Sequence, residues 1–351
     1  MTLIPGFLLA LGLALAGQFL SELVGEDMMG MPKSPVSPIM MAILLGILVR
    51  NLLPVPALLE PGIRFGLVHV LRLGIVLLGI RLSLGEVGEI GLKSLPVIIG
   101  AVAAALVIVA YLAKRLGMSG KLGTLIAVGT SICGATAIVA TAPTIAAKDN
   151  EVSYAVACVT LFGVVAMLVY PFAGHYIFGG DTFAAGLFLG TSVHETAQVA
   201  GAGLVYQQYY GEPAALDVAT VTKLVRNLGM IIVIPLMCVL YHRNHSDGEE
   251  HPSWYSMIPL FIVGFACMSL LRTIGDMGDR PFGLLSEDQW QWLVGQTKSA
   301  AELLLAIAMA SVGLGTKLKD LVAIGLKPLG VGLFSALLVG AVSIGLISLF
   351  Y

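Results

Sequence analysis

Charge is what this sequence has least of. Asp, Glu, Lys and Arg make up 11% of 351 residues, against about 25% in soluble domains, and no stretch is polar enough to form a soluble domain beside the apolar ones. Cysteine is also scarce: Cys133, Cys158, Cys238 and Cys267 sit inside apolar runs without metal-ligand spacing, which excludes a zinc module and gives no disulfide framework. A net charge of −2 and a pI near 6.3 leave no basic footprint for a nucleic-acid partner. What fills the space is 58% hydrophobic residues and 42 glycines, with a mean hydropathy of +0.95. That composition belongs in a lipid bilayer, where small residues let helices approach closely.

Hydropathy predicts about eleven spanning segments of roughly 20 residues, at 3–20, 36–53, 66–83, 94–115, 122–147, 152–178, 183–206, 216–241, 256–273, 295–316 and 321–350. The longest polar connections are Arg243–Pro252 and Gly275–Trp290. The first segment has a cleavage-like Ala14-Leu15-Ala16 but no basic start, so it reads as a transmembrane helix rather than a signal peptide. A small excess of Lys and Arg on one side favours a cytoplasmic N-terminus. The reading is an all-α polytopic protein of the bacterial inner membrane, one transmembrane domain over 1–351.

An internal repeat runs through it. Residues 73–95 align without gaps on 307–329, matching Gly79 with Gly313, Leu84 with Leu318, Ile90 with Ile324 and the run Gly91-Leu92-Lys93 with Gly325-Leu326-Lys327. The helices before them end in Arg50 and Arg272. About seven helices separate the copies, and an odd offset reverses their orientation, the mark of an inverted repeat. The repeat halves would span about 36–150 and 216–351.

Two glycine-rich breaks interrupt the apolar pattern: "GTSICGATAIVATAP" at 129–143 and "GTSVHETAQVAGAG" at 190–203. Glycine costs about 1 kcal/mol in a helix interior, so each cluster predicts unwinding. Irregular backbone at membrane depth survives only where protein buries it or where it lines a cavity. The alternative for a single Gly-Thr-Ser is a tight helix crossing. Thr130, Ser131, Gly134, Thr191 and Ser192 are candidate substrate contacts through hydroxyls and helix-end amides. His194 and Glu195 put a titratable pair at bilayer depth and are candidates for proton or ion coupling, or else a pair locking two helices. Gln198 stands where a zinc protease would need a second histidine, which argues against H-E-x-x-H chemistry. Lys223 and Arg226, three apart on one helix face with Asn227 beside them, suit an oxyanion; snorkelling or a salt bridge are the bland alternatives. Arg72 and Arg81 read as structural, Lys298 and Glu302 as an i,i+4 pair, and Cys133 as a small packing residue. No catalytic residue, metal or cofactor is assigned.

With "SPIMMAILLGILVRN", "LGIVLLGIRLSLGEV", "GTSICGATAIVATAP", "GTSVHETAQVAGAG" and "TVTKLVRN" in that order, the chain resembles the YeiH-like family of bacterial membrane proteins, to which sulfate export is attributed by inference. Ala135 departs from an asparagine expected in many relatives. The family is similar to the cation/proton antiporter and bile-acid transporter superfamily. That resemblance implies inverted repeats with discontinuous crossed helices, alternating access and, in related folds, homodimers. The function expected is secondary transport, in the export direction, of a small sulfate-like or organosulfur anion coupled to H⁺ or Na⁺. The rivals are a cation/proton antiporter, with Glu195 carrying the ion and Lys223 as a structural charge, and an intramembrane enzyme using Ser131 or Cys133 with His194.

Overall fold

The computed structural model describes residues 3–23, 37–242, 259–277, 281–317 and 326–351, and every element among them is helical. The expected connection at 243–252, part of that at 275–290, and Leu318, Ile324 and Gly325 of the second repeat copy lie outside the described residues. The helices are α1 (Ile4–Glu22), α2 (Pro38–Leu52), α3 (Ala57–Arg81), α4 (Leu84–Arg115), α5 (Gly120–Ser131), α6 (Ala135–Thr141), α7 (Asp149–Ile177), α8 (Thr182–Ser192), α9 (Thr196–Tyr210), α10 (Ala214–Leu228), α11 (Met230–His242), α12 (Leu260–Gly275), α13 (Glu287–Gly315) and α14 (Leu326–Phe350). Their starts follow from local chemistry. Ser37 and Asp181 accept the amides of Met40 and Ala184 at 3.2 and 2.9 Å, and Ser286 with Gln289 forms a reciprocal capping box.

Seven helical stretches are long and apolar enough to cross a membrane, with α10 and α11 counted as one, and α2, α8 and α12 are shorter apolar helices. Their outer faces are apolar: Ile99 and Val107 on α4 are 64% and 69% exposed, which only a lipid surround tolerates at such density. The protein is an all-α, multi-pass membrane protein. Counting continuous helices gives fewer than about eleven spans: the segments at 122–147 and 183–206 each stop and restart, as α5 then α6 and as α8 then α9, and those at 36–53 and 256–273 hold the shorter helices α2 and α12.

The helices form two packing units, each drawing on both ends of the chain. The first comprises Met1–Ile90, Ala200–Asp217 and Leu260–Leu318, with a core of Ala10, Ala42, Ile63, Val70, Ile307 and Leu314. Within it the repeat-matched glycines exchange partners. Gly79, at the end of α3, lies so close to the Phe265 carbonyl of α12 that a Cβ would overlap it, and Gly313 on α13 lies equally close to the Ile43 carbonyl of α2. Each copy therefore packs on the helix that precedes the other copy. The second unit comprises Gly91–Val199, Val218–Pro259 and Lys319–Tyr351, and Leu125, Ile126, Ile132, Ile138, Val159 and Ile234 are among its core. It contains the first break and the second as far as Val199.

If these glycines set the helix spacing, Gly79→Ala and Gly313→Ala should each destabilise the detergent-solubilised protein by about 1–3 kcal/mol, read as a lowered melting temperature. Gly12→Ala on α1, where a Cβ meets nothing within 4 Å, should leave it unchanged.

Candidate functional site

A helix that ends leaves its last four carbonyls without intrahelical donors, and in a membrane an unsatisfied carbonyl costs several kcal/mol. The end of α5 therefore calls for an accounting. The Val128 carbonyl accepts from the Ile132 amide at 3.1 Å, and that of Gly129 from the Gly134 amide at 2.9 Å. Arg226 of α10 supplies the next two: Nη2 donates to the Thr130 carbonyl and Nε to that of Ser131 at 2.6 Å. Lys223, one turn earlier, donates to the Ile132 carbonyl at 2.8 Å.

The same two side chains close the end of α8. Arg226 Nη1 donates to the carbonyls of Thr191 at 2.6 Å and Val193 at 3.4 Å. Lys223 Nζ donates to those of Val193 at 3.0 Å and His194. The correspondence is positional. Arg226 takes the threonine carbonyl of both Gly-Thr-Ser motifs, and Lys223 takes the carbonyl of the apolar residue following each. The two breaks thus meet on one pair of cations, which are 0% and 1% exposed and which, among the described residues, donate to main-chain carbonyls alone. A cation at a helix C-terminus is also favoured by the dipole, about half a negative charge at each end.

The residues singled out from the sequence are brought together, but not as a ring of hydroxyls. Ser131 Oγ donates to the Val128 carbonyl at 3.1 Å, and Thr191 Oγ1 to that of Leu187 at 2.7 Å. What the motifs present to the centre is main chain. Lys223 and Arg226 hold helix ends rather than presenting free donors to a ligand. His194 and Glu195 are not a hydrogen-bonded pair: His194 is buried with Nδ1 unpartnered, whereas Glu195 is half-buried. Among the described residues no hydrogen bond joins His194 to Ser131, and Cys133 lies in the core with its Sγ 3.4 Å from Met230 Sδ.

Glu195 bridges the breaks instead. Its Oε1 accepts from Thr160 Oγ1 at 2.8 Å and from the Ala135 amide, which opens α6, at 3.4 Å. Gly134 makes room for it. At φ +73° and ψ −132° it occupies backbone space that is essentially glycine's alone, and a Cβ there would overlap Glu195 Cγ. Gln198 completes the bracket, accepting the Glu195 amide at 3.2 Å and donating to the Thr160 carbonyl at 3.0 Å. Asn227 Nδ2 donates to Thr196 Oγ1 at 3.0 Å at the start of α9. Ser192 Oγ, His194 Nδ1, Thr222 Oγ1 and Asn227 Oδ1 remain buried without hydrogen-bond partners, all on the second break or on α10.

Comparison with known proteins decides the family. A family profile described as "Conserved hypothetical protein 698" matches residues 5–332. A UPF0324 membrane protein of Fusobacterium nucleatum is 34% identical over 345 residues, covering 97% of this chain and 95% of that one. UPF0324 membrane proteins of Streptococcus agalactiae serotype V and Bacillus cereus ATCC 10987 are 34% identical over 291 residues (83% of each chain) and 31% over 332 (94% and 87%). The chain belongs to the UPF0324 membrane protein family. In this UPF0324 member, sequence reasoning overlooked Thr160, which has no local signal in its apolar helix. Gln198 did carry one: it stands at the third position of α9 after Glu195, the spacing at which a side chain reaches back to cap a helix start.

Two substitutions test the arrangement. Arg226→Lys keeps the charge but loses the fork, stranding a carbonyl on at least one break, and should cost about 2–5 kcal/mol of stability, visible as a lower melting temperature. Gly134→Ala should destabilise by about 2–4 kcal/mol from strained backbone and overlap with Glu195, and Glu195→Ala in that background should recover part of the loss.

Proposed function

We propose that the protein is a secondary active transporter that moves a small anion, sulfate-like or organosulfur, across the bacterial inner membrane by alternating access. The observation that carries this reading is the charge left over at the crossing. With both groups protonated, Lys223 and Arg226 bring two positive charges to two helix C-ends worth about half a negative charge each. The Glu195 carboxylate is offset in turn by the N-ends of α6 and α9, again about half a charge each. A surplus of about one positive charge at bilayer depth calls for an anion, and a bound substrate supplies it. The unpartnered polar atoms of Ser192, His194, Thr222 and Asn227 are its nearest candidate ligands, with Lys223 and Arg226 acting on it through the field of the crossing. Half-buried Glu195, with only Oε1 engaged by the bonds described, is the group that exchanges the coupling proton. The exchanged packing of Gly79 and Gly313 supports descent from a duplicated helix pair, the ancestry such transporters share.

The full engagement of Lys223 by carbonyls favours a second reading, a cation/proton antiporter in which Lys223 is structural and Glu195 carries the ion. Proteoliposomes separate the two. Labelled sulfate and sulfite should accumulate under an imposed pH gradient, and Glu195→Gln should abolish gradient-driven accumulation while leaving anion exchange. Absence of flux for sulfate, sulfite, thiosulfate and sulfonates, with internal pH responding to Na⁺ alone, would select the antiporter.

A further inference from the structure

The first packing unit contains a cavity that the transport reading does not use. It measures about 420 Å³, and Arg81, Gln207, Asp217, Lys298, Ser299 and Glu302 line it together with Pro213 and Gly295. It lies where α3 ends and α9 turns into α10, against one face of α13, and Pro213, Gly295 and Ser299 at its edge are exposed. Its size falls within the range of small-molecule sites, about 300–1,000 Å³.

One wall is fixed. Arg81 Nε donates to Asp217 Oδ1 at 2.5 Å, Nη1 to Glu302 Oε1 at 3.3 Å and Nη2 to Gln207 Oε1 at 3.2 Å. Gln207 Nε2 donates to the same Glu302 oxygen at 3.0 Å. The Arg81 side chain is 6% exposed, so the guanidinium is a buried strut that holds two carboxylates and an amide in set positions. Each carboxylate is engaged through a single oxygen in these bonds, Oδ1 of Asp217 and Oε1 of Glu302, leaving Oδ2 and Oε2 as acceptors.

The opposite charge is uncommitted. Lys298 stands one turn before Glu302 on the same face of α13, the spacing of an intrahelical ion pair, yet Glu302 is taken by Arg81 and Gln207 and Lys298 makes no ion pair among the described residues. An ammonium and a hydroxyl from Ser299 thus line the same cavity as two partly committed carboxylates. Two cations and two carboxylates balance, so the lining offers a lone ion of either sign no net attraction. A ligand bearing both signs complements the lining.

We propose that this cavity is a binding site for a small zwitterionic amino acid, its acidic group on Lys298 and Ser299 and its ammonium on the outer oxygens of Asp217 and Glu302. The site shares no residue with the paired helix ends, whose residues 130–135 and 191–198, with Lys223 and Arg226, belong to the other unit.

The test uses the full-length protein in lipid nanodiscs, with binding of β-alanine measured by calorimetry and thermal shift against its two halves, propionate and ethylammonium. β-Alanine should bind saturably, and at least about tenfold more tightly than either half, the equivalent of one additional charge-assisted contact. Lys298→Gln should weaken binding at least about tenfold, and Lys298→Arg should retain it within about threefold. Because Lys298 holds no ion pair, neither change should lower the melting temperature of the ligand-free protein. Propionate binding as well as β-alanine would reduce the cavity to a simple anion site and overturn the proposal. So would failure of β-alanine to bind the wild-type protein, or unchanged affinity in Lys298→Gln; the half-molecule comparison on wild type decides even if a variant fails to fold.

Discussion

A helix that stops inside a membrane leaves carbonyls that lipid cannot satisfy, and this protein stops two of them. The arrangement around the breaks follows from that constraint. Main-chain amides reach back for the first orphaned carbonyls, but past them the chain has turned away, and the remaining acceptors need donors from elsewhere. Arginine offers five N–H groups in a rigid fork and lysine three on a flexible stem. Three apart on α10, they span two helix ends at once. Burying two cations would be prohibitive in isolation; set against an array of main-chain carbonyls, they become the joint that lets both breaks exist.

Given that joint, the remaining polar residues fall into place. The chain has to reverse out of α5 to start α6, and only glycine adopts the backbone of Gly134 without strain. Its missing side chain is the space that Glu195 enters from the other break. Thr160 of α7 then holds the carboxylate, while Gln198 of α9 ties the Glu195 amide to the Thr160 carbonyl. The two breaks are asymmetric in consequence: one contributes a gap, the other the acid that fills it.

Much of this was legible. Apolar runs located the helices, and glycine clusters with small polar residues located both breaks, because unwinding has a compositional cause. The spacing of Lys223 and Arg226 correctly put them on one face. Their direct partners were not legible, because main-chain acceptors carry no letter in a sequence and the carbonyls that both side chains hold leave no trace in the spacing of the two cations. The pairing of Lys298 with Glu302 failed for a related reason. Spacing along one helix predicts which partners are within reach, not which competitor arrives from another helix, and Arg81 reached Glu302 first. Gln198 was in view as the residue that replaced a zinc ligand, while its role as a helix cap went unread.

The exchanged glycines of the first unit bear on how the chain is made. Gly313 presses on the main chain of α2, and Asn51 at the end of α2 donates to the Thr316 carbonyl at 2.9 Å, 265 residues on, so the surface of α2 meets its counterpart only after that length of chain has emerged. α1 gives α2 an early neighbour, but the face around Gly46, where a Cβ would lie 2.6 Å from the Ala310 carbonyl, stays open to lipid until α13 inserts. Domains generally fold as units during synthesis; this one keeps α2 waiting for α13. The interval is a period of vulnerability for the nascent protein, and it is set by gene order rather than by the strength of any contact.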